Sequence, residues 1–170
     1  LGGLHRTPFA MLCQQKGLGV AKAAQLVAAI GLGRRLVREN PDSRHEIHSP
    51  QDAYALVQYE MSALTQEHLY VANLDTRNRL INLEKLYKGT LNMSSVRVSE
   101  VFRSAIQRNA ASITVFHNHP SGDPAPSPED IHITRALVSA GKLLEIEVLD
   151  HLVIGHNCFV SLRERRLGFE

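Results

Sequence analysis

The sequence predicts a mixed α/β fold: a helix-covered mixed β-sheet preceded by a small helical segment. Three observations carry this. Short β-rich runs such as Glu67–Leu74 and Ser112–His117 alternate with stretches of helical periodicity. Residues 1–40 are dominated instead by an Ala/Leu-rich helical pattern. Between the two regimes lies the polar stretch Asn40-Pro41-Asp42-Ser43-Arg44, which places a linker at 41–47, a helical segment at 1–40 and the main domain at 48–170.

Composition bounds the rest. A chain of 170 residues, 44% hydrophobic and 21% charged, can bury one core of moderate size. No apolar run approaches the roughly 18 residues that a membrane span needs, so no membrane partner is expected. Cys13 and Cys158 alone make neither a disulfide framework nor a four-cysteine zinc site, which points to a reducing, cytoplasmic setting. With nine histidines against two cysteines, any metal site must be built from His and carboxylate.

Taken in order, the elements begin with a helix over residues 21–32, where apolar side chains at 23, 26, 27 and 30 keep helical spacing. Lys16-Gly17-Leu18-Gly19-Val20 precedes it, and a Gly-x-Gly turn at a helix start leaves backbone N–H groups that can hold a phosphate. A turn between two helices of a small bundle is the competing reading. Residues 1–40 carry six basic side chains against Glu39, a net +5, leaving −3 for the remainder. This stretch resembles one helix-hairpin-helix motif, with Lys16, Gly17, Gly19 and Lys22 as candidate contacts to non-specific DNA; Arg34, Arg35 and Arg38 are equally explained as favourable charges at a helix C-terminus.

Ser49 opens a helix at about 50–60. Strands follow at 67–74 and 80–87, joined as a hairpin through the turn residues Asp75-Thr76-Arg77-Asn78. Val98, Val101, Phe102, Ala105 and Ile106 mark the buried face of a helix over 98–109, and 112–117 is a central strand. Ser127 starts another helix whose end is set at Gly141. Residues 144–149, 151–155 and 158–162 supply three short strands, the exposed edge of the sheet being available for pairing in a homodimer.

The chemistry concentrates in His117–Asp130. On a strand end, the period of two puts His117 and His119 on one side and turns Asn118 away; two imidazoles are half of a zinc site. Ser127 as N-cap and Pro128 at N1 fix Asp130 in the first helical turn, where its carboxylate can be a third ligand. A His₂Asp set leaves one tetrahedral position open, as in catalytic zinc. Ser127 and Asp130 read equally as a capping box.

His-x-His-Pro, then Ser-x-x-Asp after seven residues, resembles the JAMM motif of JAB1/MPN metalloprotease-like domains, here over residues 48–170. His-Asn-His-Pro-Ser-Gly at 117–122, Gly89-Thr90-Leu91-Asn92 and the upstream helical hairpin narrow the resemblance to the bacterial RadC-like subfamily. It implies the cytidine-deaminase-like MPN/JAB sheet, one zinc ion per chain held by His117, His119 and Asp130, and Ser127 as a hydrogen-bonding catalytic group. It also places the family's distal glutamate at Glu67, a residue that composition alone does not separate from Glu60, Glu84 or Glu100. The implied activity is that of a zinc metallopeptidase or isopeptidase, in which water attacks an amide and Glu67 carries the proton. Its peptide or protein substrate is unknown.

Other patterns fall short. His-Asn-His as a literal triplet is not the spread-out HNH nuclease motif, and zinc deaminases need a Pro-Cys-x-x-Cys that this chain lacks. Asp150-His151 reads as a satisfied turn or as a pair orienting a metal ligand. The alternative function, from a different class, is a DNA-associated binding or scaffolding protein linked to repair or recombination, without hydrolysis.

Overall fold

The computed structural model describes residues 7–39, 45–88 and 96–169, and the chain divides into two compact units, 1–44 and 45–170. The greater part of the expected linker, residues 41–44, and Gly89–Asn92 lie outside the described residues, as do the side chains of Arg34, Arg35 and Arg38.

In the first unit, α1 (Phe9–Cys13) and α2 (Val20–Glu39) are joined by a turn in which Gly17 takes φ +87° and the Leu18 N–H donates to Gln15 O. That positive φ is the conformation glycine supplies without a Cβ penalty. The second helix continues through Gly31 and Gly33, past the expected end at residue 32. Of the expected apolar face only Ala23 is buried, and Val27 is 45% exposed.

The second unit is a five-stranded sheet in the order β2-β1-β3-β4-β5, made of β1 (His68–Leu74), β2 (Leu80–Lys88), β3 (Ser112–Asn118), β4 (Glu147–Ile154) and β5 (Phe159–Ser161). Only β3 and β4 run parallel, and α5 (Pro128–Leu144) is the crossover that a parallel pair requires. Strands β1, β3 and β4 are buried almost throughout, because helices cover both faces. On one face Leu69, Val71, Ile113 and Val115 pack with Val101 and Phe102 of α4 (Val98–Gln107) and Ile133 and Leu137 of α5. On the other, Tyr70, Ala72, Phe116 and Leu152 pack with Tyr54, Val57 and Met61 of α3 (Pro50–Met61).

Three expectations are corrected. Gly141 does not end α5: it is a buried helical residue where an added Cβ would lie 2.6 Å from Ile146 O, so glycine admits the chain returning toward β4. The helix stops at Glu145, in the left-handed conformation at φ 56°. Residues 144–149 and 151–155 are not two strands. They reduce to one strand, β4, whose register shifts between Ile113↔Val148 and Thr114↔Asp150; the extra residue resets the in-out alternation, which in sequence imitates a break. Finally, Ile106 is 54% exposed, outside the buried face of α4.

The β1–β2 hairpin holds as expected. Asp75 organises its turn, accepting from the backbone N–H groups of Arg77 (2.8 Å) and Arg79 (3.0 Å) and from Arg79 Nε (2.8 Å). The Arg79 side chain, with these N–H groups, holds the Asp75 carboxyl down at about 2, against 3.8 ordinarily. A depressed folded pKa stabilises above the unfolded value and fades as acid protonates the group. Asp75→Ala therefore lowers the thermal midpoint at neutral pH, and its gap from wild type, followed by circular dichroism, narrows as pH falls from 3.8 through about 2.

Candidate metal centre

The site forms where β3 ends beside the start of α5. His117 is the penultimate residue of β3; facing α5, it is buried, and its Nδ1 lies 2.8 Å from Asp130 Oδ1. One residue past β3, the His119 N–H donates to Ile154 O (2.9 Å), which carries the parallel pairing with β4 one step beyond Asn118↔Ile154. His119 Nδ1 donates to Asp123 O at 2.9 Å, so Nε2 faces Asp130, 3.4 Å from Oδ2. With Nδ1–H given to a carbonyl, the other ring nitrogen is left to face the carboxylate: protonated it donates to Asp130, deprotonated it offers a lone pair, as at metal sites.

The loop carrying His119 is itself wedged. Gly122, at φ +87°, sits where a Cβ would come within 2.2 Å of His156 Nδ1, and the His156 N–H donates to Gly122 O at 3.0 Å. Glycine is needed here for both conformation and space.

Asp130 is fully buried, and its carboxylate is shared. Oδ2 accepts from the Ser127 N–H (2.7 Å) and Ser127 Oγ (2.7 Å), while the Asp130 N–H donates back to Ser127 Oγ at 3.1 Å: a complete capping box. Burial alone would push the carboxyl up, but hydrogen bonds from His117, His119 and Ser127 outweigh it and hold Asp130 far below the ordinary carboxylate range. His119 is raised, first by its bond to Asp130, against burial, with Asp123 O and the charge of Glu67 adding to it.

His117, His119 and Asp130 each offer one ligand atom, and these atoms lie within 4.8 Å of one another. His117 Nε2 is buried and has no hydrogen-bond partner in the protein, a costly state for a polar atom unless something binds nearby. The His119 side chain is 16% exposed, against 3% for His117, so the cluster opens to solvent on that side. A buried carboxylate, two neutral-capable imidazoles and one open side suit a divalent ion of the zinc type.

Around this set the structure places residues that sequence reasoning did not assign. Thr134, one turn after Asp130, donates from Oγ1 to Asp130 O (2.5 Å) and lies 2.6 Å from His151 Nδ1. Complete burial lowers His151 to about 4; because the Thr134 hydroxyl gives its proton to Asp130 O, the Nδ1 of His151 is the donor to Thr134. Asp150-His151 is thus no turn. Both residues belong to β4: Asp150 accepts from Ser161 Oγ (2.6 Å) and His151 braces α5. The i, i+4 spacing of Asp130 and Thr134 was the one signal available in sequence. Glu67 stands immediately before β1, half-buried. Lys16, Gly17, Gly19 and Lys22 all lie exposed in the first unit, with Lys22 Nζ 3.5 Å from Gly17 O. A cavity of about 360 Å³ bounded by Ile47, Ala53, Thr114 and Asp150 is separate from the cluster.

A helix-covered mixed sheet with two histidines at a strand end and an aspartate capping the facing helix is the architecture of a JAB-type domain with a candidate metal centre. Residues 47–167 match the family described as RadC-like JAB domain, and the chain belongs to that family. It is 56% identical, over its whole length and 74% of the relative's, to a UPF0758 protein of Chloroflexus aurantiacus. A UPF0758 protein of Roseiflexus castenholzii is 56% identical over 98% of this chain and 72% of its own, and one of Desulfitobacterium hafniense 48% identical over 97% and 73%. Among the described residues no helix is long and apolar enough to cross a membrane.

Removing a ligand should cost more than the 10–100-fold typical of residues that only orient one. Asp130→Ala is expected to lower zinc affinity by more than about 100-fold, measured by elemental analysis and competition with a chromophoric chelator. Wild-type affinity in the variant would remove Asp130 from the centre.

Proposed function

We propose that the chain is a zinc-dependent hydrolase of amide bonds in peptides or proteins, a metallopeptidase or isopeptidase. The observation that carries this reading is the grouping of His117, His119 and Asp130 within 4.8 Å at a solvent-open strand end, with Glu67 immediately before the adjoining strand β1. Membership of the RadC-like JAB family supports it.

When bound to these three residues, zinc supplies a Lewis acid that polarises a carbonyl and lowers the pKa of a water toward ~7. The protein's own groups do the rest. Glu67 accepts the proton of the attacking water through its carboxylate and delivers it to the amine nitrogen as the carbon–nitrogen bond breaks. Asp130 and His117 hold their positions because the capping box and the strand end fix them before substrate arrives. Ser127 keeps Asp130 oriented. Its hydroxyl proton is committed to Asp130 Oδ2, so donation to a reacting oxygen requires that bond to be exchanged first.

General acid–base groups contribute about 10²–10⁴-fold to rate. Glu67→Gln is expected to keep wild-type zinc content and lose turnover by that factor. The substrate is found by comparing peptide termini and isopeptide remnants across the proteomes of cells expressing wild-type protein or Glu67→Gln. Identical proteomes, or undiminished cleavage by the variant of a substrate so identified, would overturn this role.

A further inference from the structure

Strands β1 and β3 pair antiparallel from Leu74↔Ser112 to Leu69↔His117. Continued by two residues, this register sets His68 opposite Asn118 and Glu67 opposite His119. The β1–β3 pairing stops at Leu69↔His117, while β3 stays with β4 one residue further, the His119 N–H donating to Ile154 O. Toward β1, the side chain of Asn118 takes the ladder's place. Its Oδ1 accepts from the His68 N–H at 2.7 Å, and its Nδ2 donates to Gln66 O at 3.1 Å. One carboxamide, only 1% exposed, thus holds the peptide groups on both sides of Glu67.

The chemistry of this substitution is specific. A carboxamide carries a donor and an acceptor in one plane, as a peptide group does, so Asn118 can extend the ladder without its own backbone. That separates two demands that a continued strand would set against each other. The backbone of β3 can follow β4 through His119, whose ring meets Asp123 O and Asp130, while β1 stays anchored one residue beyond the end of its own pairing with β3. Alternation along β1 places Glu67 on the face of Leu69 and Val71, the face on which His117 meets Asp130.

We infer that Asn118 is a positioning residue that fixes the backbone of Glu67 beside the metal ligands. This deepens the hydrolase reading and rests on it. Asn118 touches neither metal nor substrate and acts through Glu67 alone, so its effect should vanish when Glu67 no longer has a carboxylate to place.

The test uses the full chain loaded with cobalt in place of zinc, whose visible absorption is followed against pH for wild type, Glu67→Gln, Asn118→Ala and the double variant. All four should bind the same amount of cobalt. The pH midpoint of Asn118→Ala should move in the same direction as that of Glu67→Gln, and the double variant should match Glu67→Gln alone. Should Asn118→Ala not fold, Asn118→Thr, whose hydroxyl replaces one of the two bonds, should show a partial movement. A wild-type midpoint in the folded Asn118 variant, or shifts that add in the double variant, overturns the inference while leaving Glu67 in its role. A wild-type midpoint in Glu67→Gln overturns both.

Discussion

The structure turns on one carboxylate. Asp130 closes the first turn of α5 through its bonds to Ser127 and, with the same two oxygens, meets His117 and His119 at the end of β3. A buried charge is tolerated only when it is paired and hydrogen-bonded, and here every partner that makes burial tolerable is also part of the candidate metal centre. The two readings of Ser127 and Asp130, helix cap and ligand pair, are therefore compatible. The cap preorganises the carboxylate, and the helix start is held where β3 can reach it.

The neighbouring contacts follow from the need to keep that junction rigid. Thr134 and a neutral His151 tie the first turn of α5 to the centre of β4, so the helix is braced against the strand parallel to β3. Gly122 lets the His119 loop pack on the turn between β4 and β5, and Asp123 O sets which nitrogen of His119 faces inward. Asn118 keeps β1 in place where the ladder has ended. Preorganisation of this kind is what the proposed hydrolysis would draw on, since geometry already set need not be reached during a reaction.

Much of this was legible in sequence because it is local. Ser49 with Pro50 and Ser127 with Pro128 announce helix starts, and the cap geometry at both agrees. The alternation of β-rich and helical stretches gave the helix-covered sheet, and the spacing of His117, His119, Ser127 and Asp130 identified the cluster. What escaped depends on pairing between distant segments. The register of β1 against β3 alone brings Asn118 to Gln66 and His68, so a side chain expected simply to point away became a clamp. The bulge in β4 exists only against β3, and made one strand read as two. Gly141 looked like a helix end because a glycine tolerating close approach and a glycine ending a helix have the same sequence signature.

In the proposed function His117, His119 and Asp130 form one ligand set for a catalytic-type metal. X-ray absorption on the zinc-loaded full chain tests it most directly. A four-coordinate shell is expected, with two imidazole nitrogens at about 2.0–2.1 Å and oxygen at about 2.0–2.2 Å, losing one imidazole in His119→Ala. A sulfur scatterer at about 2.3 Å, from Cys13 or Cys158, or a shell unchanged in His119→Ala, would contradict it.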